Sequence, residues 1–262
     1  MFHEENLMSQ DNIISALKEG RVVAEIQAIY SLGETDKILY GKLRPLLLSE
    51  DHTQIIPSEG FESFVQLFGK APLLDMQLLQ IAFRELRSDD FAVLGCNISS
   101  DSLSEPMAWQ AIANLLNENA SCADRLILEI VETQPLGNIV TLKTRIDELK
   151  KCGVRVAIDG FGGGFISALD LMELNVDIVK FDEEIIRKAI RMTPGLNPVE
   201  HLVSFARVSA PTIVMNGIDT EASKKLAIHS GATHGAGTFF SSNVLLSKQG
   251  EGEKSQNEVV LH

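Results

Sequence analysis

Five strand-like runs, separated by amphipathic helical stretches, constrain this sequence more than any other feature. The runs are 91–99, 125–132, 154–160, 176–182 and 211–217, and the stretches include Met107 to Leu116, Ile139 to Lys151 and Asp219 to His229. Strands and helices that alternate in this way are typical of a parallel sheet covered by helices. For a chain of 262 residues, the number of units favours a closed (β/α)8 barrel over an open sheet.

The beginning and the end of the chain follow different patterns. Residues from about Asn12 to Glu19 have helical spacing, and Gly20 is a natural helix stop. The β-rich runs 22–32 and 37–43 are parted by a Gly-Glu-Thr-Asp turn, which predicts an antiparallel pair. The polar end of the chain predicts a disordered tail. We therefore divide the chain into an N-terminal extension (1–11), a barrel domain (12–246) and a tail (247–262).

The charge and cysteine content narrow the class of protein. Lys and Arg number 23 against 36 Asp and Glu, a net charge of −13 that disfavours nucleic acid as a partner. No apolar stretch approaches the roughly 18 residues of a membrane helix, and the first residues do not resemble a signal peptide. Cys96, Cys122 and Cys152 lack the close spacing of a zinc or redox motif, so we expect reduced thiols. These features predict a cytoplasmic protein.

Polar side chains stand near the ends of the five strand-like runs. They are Asn97, Glu129, Glu132, Asp159, Lys180, Asn216 and Asp219. In a parallel barrel the carboxyl ends of the strands share one mouth, where ligands bind. Each residue alone is explained by the polarity of strand-to-loop transitions. Because five consecutive strands share the feature, we expect one site.

Several motifs, in the same order along the chain, resemble those of the EAL domain of bacterial cyclic di-GMP phosphodiesterases. They are IQAI (26–29), CNISS (96–100), LEIVE (128–132), the segment 158–182, MNGIDT (215–220) and HGAGTFFS (234–241). The resemblance spans roughly residues 12 to 245. It implies a TIM-like barrel of the EAL type with one antiparallel strand. It also implies a mouth that, in active members, holds two divalent metals over the phosphodiester of the dinucleotide.

Part of the family's catalytic set is matched in this sequence. Asn97, Glu129 and Asp159 match metal ligands, Lys180 matches the lysine near the attacking water, and Glu132 matches a glutamate that supports a neighbouring loop. The signature glutamate of the EAL motif falls at Tyr40, Gly41 or Lys42, depending on the register. We prefer Lys42, because this register runs without a gap to Pro57. An ammonium there replaces a metal ligand with a like charge.

Other positions of the resemblance have lost their acidic or amide groups. Gly160 stands for the second aspartate of the DD pair, Asn216 for the glutamate of AEG, and Ala236 for a glutamine. Two-metal hydrolysis needs several carboxylates to hold ions about 3.5–4 Å apart, and Mg²⁺ prefers charged oxygen ligands. We therefore expect no catalysis and no metal cofactor. Mg²⁺ or Mn²⁺ enters only in the weaker interpretation of residual activity on Asn97, Glu129 and Asp159, with Lys180 as base.

The resemblance also implies a recessed apolar residue and an arginine that hold the dinucleotide. Leu43 or Arg44 matches the first, and Leu46 or the displaced Arg44 matches the second. Lys42 and Lys180 would give the mouth a positive charge that attracts phosphate without metal. The candidate ligand-binding residues are thus Lys42, Leu43, Arg44, Asn97, Asp159, Lys180, Asn216 and Asp219.

Three functions follow from these residues. The favoured one is a catalytically inactive, EAL-like signalling regulator that binds a regulatory protein partner in cyclic di-GMP-related signalling. The alternative is a metal-independent cyclic di-GMP receptor, and the third is a residual phosphodiesterase. A homodimer and a place within a longer sensor protein are both compatible with the sequence.

Overall fold

The structure is a computed structural model that describes residues 10–34, 37–131, 138–192 and 197–240, and the backbone of 244–246. Strands β1 to β10 are Val22–Ser31, Ile38–Leu48, Ile55–Pro57, Leu94–Ser99, Leu126–Val131, Arg155–Phe161, Ile178–Phe181, Thr212–Met215, His234–Gly235 and Val244–Leu246. Helices α1 to α10 are Gln10–Lys18, Glu62–Leu67, Ala71–Ser88, Ser100–Ser104, Pro106–Glu118, Ile139–Lys151, Ala168–Glu173, Glu183–Ile190, Pro198–Ala206 and Glu221–His229.

Within these ranges the sheet closes into a barrel through β1, which pairs with β2 on one side and with β9 on the other. Strands β2 and β4 to β9 are parallel, in that order around the ring. Strand β1 runs antiparallel to both β2 and β9, while β3 and β10 extend β2 and β1. A short connection can join antiparallel strands only, which explains why β1 is reversed against β2. The predicted α/β barrel with one antiparallel strand is confirmed.

Element boundaries differ from the sequence prediction at two places. Helix α1 begins at Gln10, not near Asn12. Strand β2, expected to end near residue 43, continues to Leu48 through Pro45. Pro45 lies between the residues of β2 that pair with β4 and those that pair with β3, so its missing N–H breaks no ladder there. The predicted 33–36 turn falls partly, and the predicted tail wholly, outside the described residues.

The strands separate two apolar layers because successive side chains point to opposite faces. The outer layer lies between sheet and helices and includes Leu94, Cys96 and Ile98. The inner layer fills the barrel and consists of Ile29, Tyr40, Ile127, Ala157, Ile178, Val214 and Ala236. Residues two positions further along the parallel strands face the same interior, one layer nearer the carboxyl-terminal rim. This layer contains the candidate site.

Two observations concern the expected reduced thiols and the possibility of a membrane-spanning helix. Cys96 and Cys122 are buried and Cys152 is partly exposed, and all three are free cysteines. No helix in the described ranges is long and apolar enough to cross a membrane.

Arg125 joins the start of β5 to the helix–strand unit before it. Its guanidinium donates to the carbonyl oxygens of Leu86 (2.7 Å), Asp89 (2.6 Å) and Ala92 (3.1 Å). These carbonyls lie in the last turn of α3 and in the loop that leads into β4, where they have no partner within a helix or a sheet. Arg125 thereby fixes the entry of β4 into the barrel.

We predict that Arg125→Ala lowers the free energy of unfolding by about 2–3 kcal/mol, because several carbonyls lose a charged donor. Urea unfolding followed by circular dichroism measures the change. Arg84→Ala is the matched control, since Arg84 is half-exposed and pairs with its neighbour Glu85; it should change stability by less than about 0.5 kcal/mol. Equal unfolding midpoints for the two variants would contradict this role.

Candidate functional site

Two lysines and two carboxylates meet inside the barrel, above the inner apolar layer. Lys42 Nζ lies 2.5 Å from Asp159 Oδ2 and 2.8 Å from Glu129 Oε2. Lys180 Nζ lies 2.5 Å from Glu129 Oε2 and 3.4 Å from Asp159 Oδ2. We name these four side chains, from β2, β5, β6 and β7, the ion-pair cluster. Each amino group in it bridges both carboxylates.

The remaining carboxylate oxygens also have protein donors. The Tyr40 hydroxyl donates to Glu129 Oε1 at 2.6 Å. The Asn216 amide Nδ2 donates to Asp159 Oδ1 at 3.2 Å. Every oxygen of the two carboxylates therefore accepts at least one hydrogen bond from the protein.

Burial makes these interactions strong. Glu129 and Lys180 are fully buried, and the side chains of Lys42 and Asp159 are 12% and 13% exposed. For Lys42, the carboxylates of Asp159 and Glu129 outweigh burial and raise the pKa of the amino group. For Asp159, Lys180 and Lys42 outweigh burial and lower the pKa of the carboxyl. Burial lowers the pKa of Lys180, so this lysine is the first of the two to lose its proton as the pH rises.

The structure distinguishes the three candidates for the signature position. Lys42 is the one whose side chain reaches both Glu129 and Asp159. Tyr40 contacts Glu129 from below, and sequence reasoning missed this role. The signal that could have found it is Gly95, which pairs with Lys42 in the neighbouring strand and leaves room for a ring.

Asn97 and Gly160 stand at two further positions where the family resemblance places metal ligands. Asn97 pairs with Glu129 across β4 and β5, and its Oδ1 is buried without a hydrogen-bond partner among the described residues. Gly160 sits in a β-bulge with φ of +87°, in the region that favours glycine. A carboxylate at position 160 would therefore require a strained backbone or a different local path.

The two candidate ligand residues next to Lys42, Leu43 and Arg44, lie on opposite faces of β2. Leu43 points away from the mouth into the outer apolar layer, because it is adjacent to the inward-facing Lys42, so its predicted ligand role was wrong. Arg44 pairs with Glu25 at 3.1 Å and with Glu59. These partners tie β2 to β1 and to the turn after β3.

Asp219 is not part of the ion-pair cluster. Its Oδ1 accepts from the backbone N–H and hydroxyl of Thr238 at 3.1 and 2.9 Å, and its Oδ2 lies 3.4 Å from Arg187. These contacts tie the loop after β8 to the segment after β9 and to α8, and a ligand-binding role for Asp219 stays a prediction. Glu132 lies outside the described residues.

The residues present do not fit a pair of divalent metals. In the described ranges no group of three or more His, Cys, Asp or Glu side chains is placed to hold an ion. Asn97 offers one neutral oxygen, but the lone pairs of Glu129 and Asp159 already receive hydrogen bonds. The positions between these carboxylates, where a cation would sit, are filled by the amino groups of Lys42 and Lys180.

A sequence model of the EAL domain matches residues 10–243. The chain belongs to the EAL domain family. This EAL domain is 25% identical over 224 residues to the cyclic di-GMP phosphodiesterase PdeL of Escherichia coli K12, covering 82% of this chain and 60% of PdeL. It is 26% identical over 245 residues to the probable cyclic di-GMP phosphodiesterase PdeI of the same organism, covering 90% of this chain and 31% of PdeI. The chain thus spans 60% or less of these relatives' lengths.

A solved structure agrees with the family assignment. The fold is similar to that of the PaMucR phosphodiesterase in its c-di-GMP complex, with a TM-score of 0.78 and 20% sequence identity. The alignment covers 89% of this chain and 96% of the other. At this identity the likeness concerns the fold, and it confirms the EAL-type barrel expected from the motifs.

We predict that Lys42→Met lowers the free energy of unfolding by about 3 kcal/mol at pH 7, because it leaves buried carboxylates short of a counter-charge. The Asp159 pKa is lowered in the folded protein, so this stabilisation is present above the unfolded pKa of about 4 and is lost as the pH falls below it. Chemical unfolding at several pH values should therefore show a difference that shrinks in acid.

Lys37→Met is the matched control for this prediction. Lys37 is 70% exposed and pairs with Glu34 on the surface, so its loss should change stability by less than about 1 kcal/mol. A Lys42→Met variant as stable as the control at pH 7 would show that the ion pairs contribute little.

Proposed function

We propose that this EAL domain is catalytically inactive and acts by binding a regulatory protein partner in cyclic di-GMP-related signalling. One observation carries the proposal: the amino groups of Lys42 and Lys180 lie between Glu129 and Asp159, at 2.5–3.4 Å from their oxygens. A carboxylate pair already neutralised in this way is a poor site for two dications.

Repulsion between like charges opposes the binding of a metal ion beside Lys42. A divalent ion about 4 Å from an ammonium is repelled by about 8 kcal/mol at an effective dielectric constant of about 20, twice the value for unit charges. The two carboxylates that would attract Mg²⁺ already pair with the amino groups, so a bound ion would also have to separate those pairs. Deprotonating Lys42 instead is costly, since the adjacent carboxylates raise its pKa.

The surface of the domain supports contact with another protein. At the corner between α2 and α3, Phe64 and Phe68 stack with ring centroids 4.4 Å apart. Leu67 beside them is 79% exposed, and Leu73 is also exposed. Apolar side chains gathered at a surface corner are typical of interaction sites. The retained barrel would then serve as a scaffold for recognition.

A metal-independent cyclic di-GMP receptor is the second candidate, and the cations of the mouth favour it. Lys42 keeps some exposure, and Arg44 lies on the same face of β2 two residues further on. Both can contact phosphate oxygens without metal. Against this candidate, Arg44 already pairs with Glu25 and Glu59.

We also propose a cytoplasmic location, which the free thiols of Cys96, Cys122 and Cys152 support. A homodimer is a further proposal, and sedimentation of the purified chain tests it.

We predict that the purified chain forms no linear dinucleotide from cyclic di-GMP with either Mg²⁺ or Mn²⁺, because the ion-pair cluster keeps metal from Glu129 and Asp159. Chromatographic product analysis measures this, with PdeL assayed in parallel as the positive control. Product that increases with protein concentration and disappears in a Glu129→Gln variant would establish activity and refute the proposal.

Titration calorimetry with cyclic di-GMP separates the two candidate functions. A protein-binding regulator should give no heat at tens of micromolar ligand, with EDTA or with Mn²⁺. Binding in EDTA that weakens at least about tenfold in Lys42→Met would favour the receptor, since a hydrogen bond to a charged group is lost. Lys37→Met again serves as the control.

A further inference from the structure

A buried carboxylate outside the ion-pair cluster holds the turn that follows β4. Asp75 lies on α3 and is 5% exposed. Its Oδ2 accepts from the backbone N–H of Ser99 at 2.7 Å, from the Ser99 hydroxyl at 2.6 Å and from the Ser102 hydroxyl at 2.7 Å. Ser99 is the last residue of β4 and the N-cap of α4, and Ser102 lies within α4. One carboxylate oxygen therefore joins α3 to the turn between β4 and α4.

This turn belongs to the carboxyl-terminal rim of the barrel. Asn97, which pairs with Glu129 in the neighbouring strand, stands two residues before Ser99 on β4. The Ser99 hydroxyl also accepts from the backbone N–H of Ser102 at 3.2 Å. Hydrogen bonds thus run from Asp75 through Ser99 into α4. A change in the charge of Asp75 therefore acts on the part of the rim next to Asn97.

The surroundings of Asp75 supply hydrogen-bond donors but no counter-charge. Its three donors are neutral groups, and within the described ranges no Lys, Arg or His side chain pairs with it. In the elements packed on α3, Asp101 of α4 and the Cys96 thiol of β4 interact electrostatically with Asp75. Asp101 is a like charge, and burial raises the pKa of the Cys96 thiol, which stays neutral.

The charged side chains of the other elements packed on α3 face different groups. They are Glu25 of β1, Lys42 and Arg44 of β2, Glu62 of α2 and Glu105 at the start of α5. Asp75 thus differs from Glu129 and Asp159, whose charges are balanced by lysines.

A buried carboxyl without a counter-charge takes up a proton more readily than one in water. Burial raises the pKa of Asp75 to about 6, although the hydrogen bonds from Ser99 and Ser102 oppose the shift. An aspartate in the unfolded chain has a pKa of about 4. Protonation of Asp75 therefore stabilises the packed arrangement, and this stabilisation is lost as the pH rises through about 6.

We propose that Asp75 is a proton-sensitive contact, which holds the turn between β4 and α4 more firmly when its carboxyl is protonated than when it is ionised. This inference goes beyond the proposed function, because it holds whether the mouth binds a protein, binds a dinucleotide or hydrolyses one. The rim next to Asn97 then opens more readily at neutral pH than in mild acid.

The test is urea unfolding of the full chain at pH 5 and at pH 8, followed by circular dichroism, for the unmodified protein and for Asp75→Asn. Relative to D75N, the unfolding equilibrium constant of the unmodified protein should rise about tenfold from pH 5 to pH 8. This factor follows from a pKa of about 6 in the folded protein and about 4 in the unfolded chain. The other titrating groups are common to both proteins and cancel in the ratio.

Asp90→Asn is the matched control, because Asp90 is exposed in the loop after α3. The ratio of the unmodified protein to D90N should change by less than about twofold between the two pH values. A ratio to D75N that is equally constant would overturn the inference. A rise shared by D75N and D90N would overturn it as well, since the effect would then not belong to the buried carboxyl.

A second measurement uses the unmodified protein and does not depend on whether D75N folds. Carbon-13 NMR of the Asp75 carboxyl should give a titration midpoint near pH 6. Hydrogen exchange of the Ser99 amide, corrected for its intrinsic pH dependence, should give a larger opening constant at pH 8 than at pH 5, because this amide donates to Asp75. A carboxyl midpoint near the ordinary value of about 4, or equal opening constants, would overturn the inference.

Discussion

The hydrogen-bonded ion pairs between Lys42, Lys180, Glu129 and Asp159 are the interaction on which the interior of this barrel depends. Buried charges are tolerated when they are paired and hydrogen-bonded, and here four strands each contribute one member. Removing one lysine or one carboxylate leaves one buried charge without its counter-charge. The polar layer of the barrel therefore acts as one unit, and the identity of each residue in it constrains the rest.

This dependence connects the fold to the proposed loss of catalysis. An EAL domain with carboxylates at the mouth needs cations to hold them together, and a bound metal is one solution. In this chain the lysine at position 42 supplies a covalently attached cation, and Lys180 supplies another. Tyr40 and Asn216 then satisfy the oxygens that remain. A domain built in this way can keep its shape without metal and can serve as a recognition scaffold.

Much of the fold could be predicted from the sequence because it follows from local periodicity. The alternation of strands and helices after residue 91 and the antiparallel opening pair both rest on neighbours within a few residues. The continuation of β2 past Pro45 could not be predicted, because it depends on pairing with β1 on one side, while on the other side neither β4 nor β3 pairs with Pro45. The outward direction of Leu43 followed only once Lys42 was seen to face the barrel interior.

By itself, the sequence determined which residue types stand at the rim. Compared with the family motifs, Lys42 replaces a glutamate, Gly160 an aspartate and Asn216 a glutamate. It also determined the family and the barrel. Only the tertiary structure decided that Lys42 and Lys180 bridge the same two carboxylates. It also decided that Tyr40 donates a hydrogen bond to Glu129 and that Asp219 accepts one from Thr238. The sequence shows where charged residues are available. The pairing of buried charges depends on residues that are distant in the sequence, such as Lys42 and Asp159, 117 positions apart, which only folding brings within reach.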